Sequence, residues 1–545
     1  MNKTTRYQLI ITLIAGLLFI PFLGQVHLFD WDEINFAESA REMIVTGDYL
    51  NVQINFDTFW EKPPLFTWFQ VLSMKIFGIN EFAARFPNAI AGIITLLVLF
   101  NIGRKLYNER LALIWILAYA GSILPHFYFK SGIIDPWFNL FIFLGIYYFY
   151  LFSRDSGTKL TYVLLSATAI GLGILTKGPV AFLLFFITAV VYMILNGAYK
   201  KFLNVKVIAT YIATLSLVGG FWFILQILNG NYDILVKFIA YQIRLFTIED
   251  AGHGGFLLYH FVILFFGVFP ASIFMLKSFK KESDDSYEYR SFKQWMIILF
   301  WVVLIIFTIV NTKIVHYSSM CYFPMSFLAA YIINKIVEGK QPFERWMKIT
   351  LSIIASILGL AIATLQLITT HKDLVIKSGM IKDNFTIGNL EANSHWLGFE
   401  FITGIVLLLG VLLSILFLKK EKNQIIGVFI SSLIFVNSSI VLIVPRIEEY
   451  SQNTAIEFYK EIAKEECYLT TFHFKSYAIY YYFDLQPESN KNYRNKKWLY
   501  RGNIDKPVYV VCKNTSHKKF EQRYPLFRKV KEKNGFVFYF RDKKK

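Results

Sequence analysis

Charged residues that could do chemistry stand out in this chain because their surroundings are strongly apolar. Asp32 and Glu33 follow the first apolar run, and Glu61 and Lys62 directly precede two prolines in the stretch DTFWEKPPLF. A carboxylate and an ammonium held at a membrane interface can meet an anionic lipid headgroup, and the prolines restrict the backbone that carries them. The alternative is a local salt bridge at the start of a helix, since charged residues are common at interfaces.

The composition predicts the class of protein that must position these residues. Of the 545 residues, 55% are hydrophobic and only 17% are charged, whereas soluble chains carry about 25% charged residues. The formal net charge of +18 does not indicate a nucleic-acid partner, because the basic residues cluster in short segments between apolar runs. We therefore expect an α-helical polytopic membrane protein.

Apolar runs long enough to cross a bilayer, about 20 residues each, occur about thirteen times. The first run follows Lys3 and Arg6 and looks like a signal peptide, but no small-x-small cleavage site follows it, so we interpret it as a signal anchor that stays. The predicted spans are 7–25, 87–103, 111–129, 136–153, 161–176, 178–196, 207–228, 256–276, 295–311, 315–334, 347–369, 397–418 and 424–444.

The distribution of Lys and Arg between these spans predicts the orientation. Alternate loops are rich in basic residues, whereas the loops between them hold isolated cations. Because cytoplasmic loops carry the excess of positive charge, we expect a cytoplasmic N-terminus, an extracytoplasmic C-terminal tail and a location in the cell inner membrane. The basic loops lie around residues 104–110, 154–159, 200–206, 277–293, 335–348 and 419–422.

Three segments on the outer side, 26–86, 229–255 and 370–396, are too long to be simple connections. In the first of them, the apolar periodicity of NFAESAREMIVTG and of PPLFTWFQVLSMKIFG predicts two helices that lie in the membrane surface rather than cross it. These helices would hold Asp32, Glu33, Glu61 and Lys62 close to the level of the headgroups.

The tail differs in pattern from the rest of the chain, so we expect two domains, a membrane domain at 1–445 and a small extracytoplasmic α/β domain at 446–545. The stretch TAIEFYKEIAKEE has a helical pattern, whereas KPVYVVCKN and GFVFYFRDKKK resemble strands. Cys467 and Cys512 both lie in this tail and could form a disulfide in an oxidising compartment, or remain two separate buried thiols.

Several motifs, taken together, resemble a known family. The opening FDWDEINFAESAREMIVTGDYL with FDTFWEKPPLFTWFQ is followed in order by SGIIDPWF (131–138), LTKGPVAF (175–182) and NTKIVHYSSMCYFP (311–324). They resemble the lipid-linked sugar transferases of the GT-C fold, glycosyltransferase family 39, which includes the aminoarabinose transferases and the protein mannosyltransferases. The motifs span roughly the first 335 residues on successive outer loops, which makes coincidence improbable.

The resemblance implies an enzyme that uses a sugar carried on a polyprenyl (undecaprenyl) phosphate. It implies catalytic roles for Asp32 and Asp135 in a shared cavity. It also implies that Glu61 and Lys62 interact with a metal and the donor phosphate. A histidine in a later outer loop, here His253 with His260 further along, would bind a divalent metal, Zn or Mg, together with Glu61.

Transfer of the sugar leaves a polyprenyl phosphate dianion, whose developing charge needs cations in a poorly hydrated site. The isolated outer cations Lys62, Arg244 and Lys313 fit this role. Lys177 could serve the phosphate too, or it could be a lysine at the end of a span whose charged head only reaches the membrane–water interface. Four further residues, Glu33, His316, Tyr317 and Tyr322, are expected near the cavity, the last three more for packing and hydrogen bonding than for catalysis.

The acceptor stays open at this stage. A hydroxyl on a protein Ser/Thr or a sugar needs a base, for which Asp32 is suitable, whereas a lipid A phosphate is already ionised. Transfer to lipid A or another envelope acceptor and protein O-mannosyltransferase-like transfer are both compatible with the motifs. A lipid-linked sugar transporter or scramblase is the alternative without an enzyme, although no internal repeat or mid-span charge favours transport. We expect a monomer whose partners are membrane lipids.

Overall fold

Helices form most of the chain, and the fold class predicted from composition is confirmed. The computed structural model describes residues 2–154, 159–197, 204–247, 254–280 and 287–543. As far as residue 247, the helices are α1 (Lys3–Phe19), α2 (Asp32–Thr46), α3 (Leu65–Phe77), α4 (Glu81–Leu106), α5 (Glu109–Ala120), α6 (Ile123–Tyr128), α7 (Asp135–Arg154), α8 (Leu160–Lys177), α9 (Val180–Asn196), α10 (Val205–Gly219), α11 (Phe221–Leu228) and α12 (Tyr232–Thr247).

The helices beyond residue 254 continue this pattern and then become shorter. They are α13 (Tyr259–Gly267), α14 (Ala271–Lys277), α15 (Tyr287–Ile309), α16 (Tyr322–Val337), α17 (Arg345–Thr370), α18 (Lys372–Lys377), α19 (Asn384–Leu390), α20 (Ile402–Phe417), α21 (Glu421–Ser438), α22 (Val444–Ser451), α23 (Asn453–Ile462), α24 (Ala478–Tyr481), α25 (Lys496–Arg501) and α26 (His517–Arg523). The 3-10 turns Val315–Cys321 and Lys491–Arg494 and the π turn Ser439–Ile443 complete the helical elements.

Within the described ranges, seven helical segments are long and apolar enough to cross a membrane, or nine if each of two bent helix pairs is one span. The bent pairs are α10 with α11, at 60°, and α13 with α14, at 110°. The remaining predicted spans correspond to α1, to α5 with α6, to α9 and to α20, which are helices of 17 residues or fewer. A 17-residue helix is about 26 Å long, slightly short of a hydrocarbon core of about 30 Å.

Side-chain caps and glycines determine where several of these helices begin and end. The side chain of Asn80 accepts a hydrogen bond from the backbone N–H of Ala83 at 2.8 Å, and Asn108 caps α5 in the same way at 2.9 Å. Such caps satisfy N–H groups that have no partner inside the helix. Gly47 ends α2 with a φ of 72°, a conformation that glycine adopts without strain.

The two helices predicted in the first outer segment are present, but their surroundings differ. α3 exposes Leu72 and Ile76, as expected of a helix at a membrane surface. In α2, by contrast, every residue from Glu33 to Met43 is buried. The expectation that α2 lies in the membrane surface is therefore wrong, because other parts of the protein cover all of its faces.

A four-stranded sheet forms the core of the tail, in agreement with the predicted α/β pattern. The strands are β1 (Gln53–Ile54) and β2 (Asp57–Thr58) in the first outer segment, then β3 (Tyr468–Phe472), β4 (Val508–Lys513), β5 (Arg528–Lys533) and β6 (Phe536–Arg541) in the tail. The sheet of the tail has the order β3-β4-β6-β5, and β3 and β4 are parallel whereas the other pairs are antiparallel. Cys467 and Cys512 are both buried free thiols, so the possible disulfide is not formed.

The tail packs directly on the first outer segment. One hydrophobic cluster joins Leu28 and Ile34 to Ile456 and Tyr482. The backbone N–H of Leu28 also donates a hydrogen bond to the Tyr482 hydroxyl at 2.6 Å. The predicted boundary at residue 445 falls inside the continuous helical segment Glu421–Ser451, so the division into two domains is kept as a proposal. These contacts bring the tail next to the start of α2.

Candidate functional site

A cavity of about 500 Å³ lies where the first outer segment, the ends of several membrane helices and the tail meet. Its wall combines three carboxylates, four Lys or Arg side chains and one histidine with aromatic residues. The charged residues that line it are Asp30, Asp32, Glu61, Lys62, Lys177, Arg244, His316 and Lys475. The cavity therefore gathers groups that are far apart along the chain.

Asp32 is the first residue of α2 and lines this cavity. Its Oδ2 lies 3.5 Å from Nε2 of His316, and its side chain is 40% exposed. His316 lies in the 3-10 turn that precedes α16, so the pair connects the first outer segment to a membrane helix. A carboxylate that is accessible from the cavity and adjacent to an imidazole can accept or orient a proton.

Glu61 and Lys62 lie between β2 and α3 and share a neighbour on α12. The Tyr241 hydroxyl donates a hydrogen bond to Oε2 of Glu61 at 3.1 Å, and Nζ of Lys62 lies 5.1 Å from the centre of the Tyr241 ring. Burial lowers the pKa of Lys62 below its ordinary value, although the nearby Glu61 and Asp32 oppose that shift. Pro64 directly precedes α3, so the pair stands at a helix start, as the sequence predicts.

Asp135 and Lys177 form an ion pair at the edge of the cavity. Asp135 begins α7 and Lys177 ends α8, and Nζ of Lys177 lies 2.7 Å from Oδ1 of Asp135. The Ser319 hydroxyl donates a weaker hydrogen bond to the same oxygen at 3.3 Å. The other oxygen, Oδ2, is buried and has no hydrogen-bond partner among the described residues. Lys177 lines the cavity but Asp135 does not, so the expectation that Asp135 lies in the cavity wall is wrong. Its buried carboxylate is in contact with the cavity only through the ammonium of Lys177.

Arg244 and Tyr317 also line the cavity, in agreement with their predicted positions. The guanidinium of Arg244 lies 5.1 Å from the centre of the Tyr241 ring, on the wall that also carries Lys62. The ring of Tyr317 lies 5.4 Å from Nζ of Lys177. Tyr317 thus packs against a cation of the site, which is compatible with the packing or hydrogen-bonding role expected from the sequence.

The expectation that Glu33 lines the cavity is wrong. Its carboxylate accepts hydrogen bonds from Nε and Nη2 of Arg85 at 2.9 and 2.8 Å, and from the backbone N–H groups of Phe29 and Gly132. Burial alone would raise the pKa of Glu33, but the charge and hydrogen bonds of Arg85 hold this pKa below its ordinary value. Successive helix residues point about 100° apart, so Asp32 and Glu33 face different surroundings.

Two further residues predicted near the cavity lie outside it. Nζ of Lys313 donates hydrogen bonds to the carbonyls of Phe307, Thr308 and Val310 at 3.1, 2.7 and 2.6 Å, so it caps the C-terminal end of α15. Tyr322 is 1% exposed, and its ring packs against that of Tyr128 at 5.5 Å. Both residues are therefore structural in this fold.

The predicted metal site receives no support from the residues that surround Glu61. His253 lies outside the described residues, and Nδ1 of the buried His260 is 3.0 Å from the Ser318 hydroxyl instead. In the part of the chain that the structure describes, no three His, Cys, Asp or Glu side chains are close enough to hold a metal ion. Metal binding by Glu61 and His253 stays a proposal.

The lining residues that the sequence reasoning missed include Asp30, Lys475 and Tyr477. Asp30 stands two residues before Asp32 in the motif FDWDE, so the motif itself was a signal for it. Lys475 and Tyr477 come from the tail, where no motif is recognisable, and only the packing of the tail on the first outer segment brings them to the cavity.

Comparisons with known proteins show which sequences and structures this chain is similar to. A family model described as dolichyl-phosphate-mannose-protein mannosyltransferase matches residues 61–222. An uncharacterised protein of Aquifex aeolicus is 29% identical over 333 residues, which cover 60% of this chain and 73% of that protein. The undecaprenyl phosphate-alpha-4-amino-4-deoxy-L-arabinose arabinosyl transferase of Aeromonas salmonicida is 27% identical over 345 residues, which cover 62% of each chain.

Among solved structures, ArnT from Cupriavidus metallidurans bound to undecaprenyl phosphate matches over 98% of both chains, with a TM-score of 0.78 and 17% sequence identity. At this identity the match shows that the two proteins share a fold. The class defined by the fold is therefore a multi-pass membrane protein of the GT-C fold, as the sequence predicts. Within that class, the resemblance to the aminoarabinose transferases of family 39 is confirmed.

Proposed function

We propose that this chain transfers a sugar from a polyprenyl phosphate, such as undecaprenyl phosphate, to an acceptor of the cell envelope on the extracytoplasmic side of the membrane. The observation that carries the proposal is the single cavity that contains Asp32, Glu61, Lys62 and Lys177. Relatives named as undecaprenyl-phosphate arabinosyl transferases support the class of donor. The excess of basic residues in alternate loops supports the orientation.

The cations of the cavity would bind the donor phosphate and stabilise it as it leaves. When the bond between the sugar C1 and the phosphate oxygen breaks, that oxygen keeps the electron pair and the phosphate becomes a dianion. Lys62 and Arg244 flank Tyr241 on one wall, and Lys177 adds a third cation that Asp135 orients at 2.7 Å. Cations fixed in a poorly hydrated cavity act more strongly on such a charge than they would in water.

Asp32 would act on the acceptor. If the acceptor is a hydroxyl, its oxygen attacks C1 and its proton passes to the Asp32 carboxylate, with His316 orienting that carboxylate at 3.5 Å. If the acceptor is a phosphate, no proton needs to be removed, and Asp32 would instead stabilise positive charge on the sugar ring. Asp135 would act indirectly, by holding the ammonium of Lys177 at 2.7 Å in the cavity wall.

Lipid A or another envelope glycolipid is the first acceptor we propose, since the named relatives carry an arabinosyl-transferase description. Transfer to Ser or Thr hydroxyls of proteins is the second, because the matching family model is described as a protein mannosyltransferase. No step in either mechanism runs through a metal, because Glu61 accepts a hydrogen bond from Tyr241 and has no neighbouring ligand cluster in the described ranges.

The test is complementation of a strain that lacks the gene, followed by mass spectrometry of its envelope lipids and proteins. The wild-type chain should restore a glycosylated product. We expect Asp32→Asn to lower product formation about 100-fold or more, which is the usual contribution of a positioned acid or base. Asp57→Asn, an exposed carboxylate of the same outer segment, is the matched control and should act like wild type. Normal activity of Asp32→Asn would refute the site.

A further inference from the structure

The loop that follows β3 brings residues of the tail into the cavity. This loop, residues 473–477, begins at the carboxyl end of β3, which pairs in parallel with β4. Loops at the carboxyl ends of parallel strands are the usual place for ligand-binding residues in α/β folds. Two of its residues, Lys475 and Tyr477, line the cavity together with Trp31 and Asp32.

Asp30 holds this loop against the start of α2. Its Oδ1 accepts a hydrogen bond from the backbone N–H of Tyr477 at 3.1 Å, and its carboxylate also accepts one from the Ser476 side chain. On the other side, the hydroxyl of Thr471 in β3 donates a hydrogen bond to the carbonyl of Phe474 in the loop at 2.7 Å. The position of Lys475 relative to Asp32 is therefore determined by hydrogen bonds on both sides of it.

The ammonium of Lys475 lies against aromatic rings, as that of Lys62 does, and differs from that of Lys177 in having no carboxylate partner in the part of the chain that the structure describes. It lies 4.7 Å from the ring centre of Trp31 and 4.8 Å from that of Tyr477. Within the described residues it makes no hydrogen bond or ion pair, whereas Lys177 pairs with Asp135 at 2.7 Å. The aromatic faces hold the charge in place by cation–π attraction and leave all three N–H donors available to a ligand.

We propose that Lys475 is a specificity-determining residue that binds an anionic group, a phosphate or a carboxylate, on the acceptor. The inference rests on the proposed function. Lys62, Lys177 and Arg244 come from the membrane part of the protein, where a donor anchored by its polyprenyl chain must bind. Lys475 is the one lining cation that comes from the tail, in the chain as described, so it is the cation suited to the polar part of a second substrate that lies outside the membrane. The tail thereby takes part in acceptor recognition.

The first experiment measures product in the complemented deletion strain for Lys475→Gln, Lys475→Arg and Lys475→Glu. One charge-assisted hydrogen bond at a partly exposed site corresponds to about a tenfold change. We expect Lys475→Gln to lower product about tenfold, Lys475→Glu to lower it further, and Lys475→Arg to retain most of it. The control is Lys491→Gln, an exposed lysine of the same domain outside the cavity, which should act like wild type.

The second experiment separates the acceptor from the donor. Binding of undecaprenyl phosphate to the purified full-length protein is followed by intrinsic tryptophan fluorescence. Lys475→Gln should bind this probe within twofold of wild type, whereas Lys62→Ala should bind it much more weakly. Equal weakening in both variants would make Lys475 a donor residue and overturn the inference.

Other outcomes also decide the matter. Wild-type product levels with Lys475→Gln, or a product whose acceptor carries no phosphate or carboxylate, would overturn the inference and leave the proposed function intact. Failure of the wild-type chain to restore any glycosylated product would overturn both. A variant that fails to accumulate in the membrane is replaced by Lys475→Met, which keeps the length of the side chain and its contacts with Trp31 and Tyr477.

Discussion

Asp32 and Glu33 are adjacent carboxylates at the start of α2, and the structure predicts opposite consequences when each is changed to its amide. Asp32 is 40% exposed toward the cavity, whereas Glu33 is buried and bound to Arg85. Asp32→Asn should therefore remove activity and preserve stability. Glu33→Gln should lower the free energy of unfolding. Any loss of activity in this variant should result from its lower stability.

The magnitude for Glu33→Gln follows from its partners. Its two oxygens accept four hydrogen bonds, two from Arg85 and one each from the backbone N–H groups of Phe29 and Gly132. A glutamine offers one acceptor oxygen, so donors are left unsatisfied and the buried Arg85 loses its counter-charge. Removing one partner of a buried ion pair lowers the free energy of unfolding by about 3–5 kcal/mol. A surface change such as Asp32→Asn usually stays within about 0.5 kcal/mol.

The assay is unfolding of the purified proteins in detergent, followed by tryptophan fluorescence, alongside product formation in the complemented strain. The difference between wild type and Glu33→Gln should also depend on pH. Because the pKa of Glu33 is below its ordinary value of 4.5 in the folded state, its stabilisation is fully present above pH 4.5 and is lost as the pH falls through the folded pKa. A Glu33→Gln protein as stable as wild type but inactive like Asp32→Asn would refute this assignment.

Four further predictions address the site and its orientation. Burial lowers the pKa of Lys62, so this lysine should lose its charge at a lower pH than a solvent-exposed lysine does. Binding of undecaprenyl phosphate should weaken at that lower pH, and Lys62→Arg should extend binding to higher pH. Burial, together with the neighbouring Glu38 carboxylate, raises the pKa of Glu42 above its ordinary value of 4.5, so the free energy of unfolding should fall as the pH rises above 4.5, and Glu42→Gln should reduce that fall. Alkaline phosphatase fused to the C-terminal end should be active, and an inactive fusion would contradict the proposed orientation. EDTA should lower transfer and added Zn²⁺ or Mg²⁺ restore it if Glu61 binds a metal, whereas an unchanged rate would exclude that proposal.

Local sequence patterns were sufficient to predict the membrane helices and part of the candidate site. Each of the thirteen apolar runs contains helix, because a run of apolar residues in a membrane must satisfy its backbone hydrogen bonds internally. Asp32, Glu61 and Lys62 were identified from short contiguous motifs, and all three line the cavity. These features depend on residues that are close together in the sequence, so the sequence alone predicts them.

Only the tertiary structure decided which charged side chains face the cavity. Glu33 follows Asp32 directly, yet the helical rotation turns it toward Arg85, and Lys313 bends back to the carbonyls at the end of α15. Lys475 stands more than 440 residues after Asp30 and reaches the same cavity because the tail packs on the first outer segment. Which way a side chain faces, and which distant segment it contacts, depend on how the helices and the sheet pack together. That packing depends on many residues far apart in the sequence, so no local pattern reveals it.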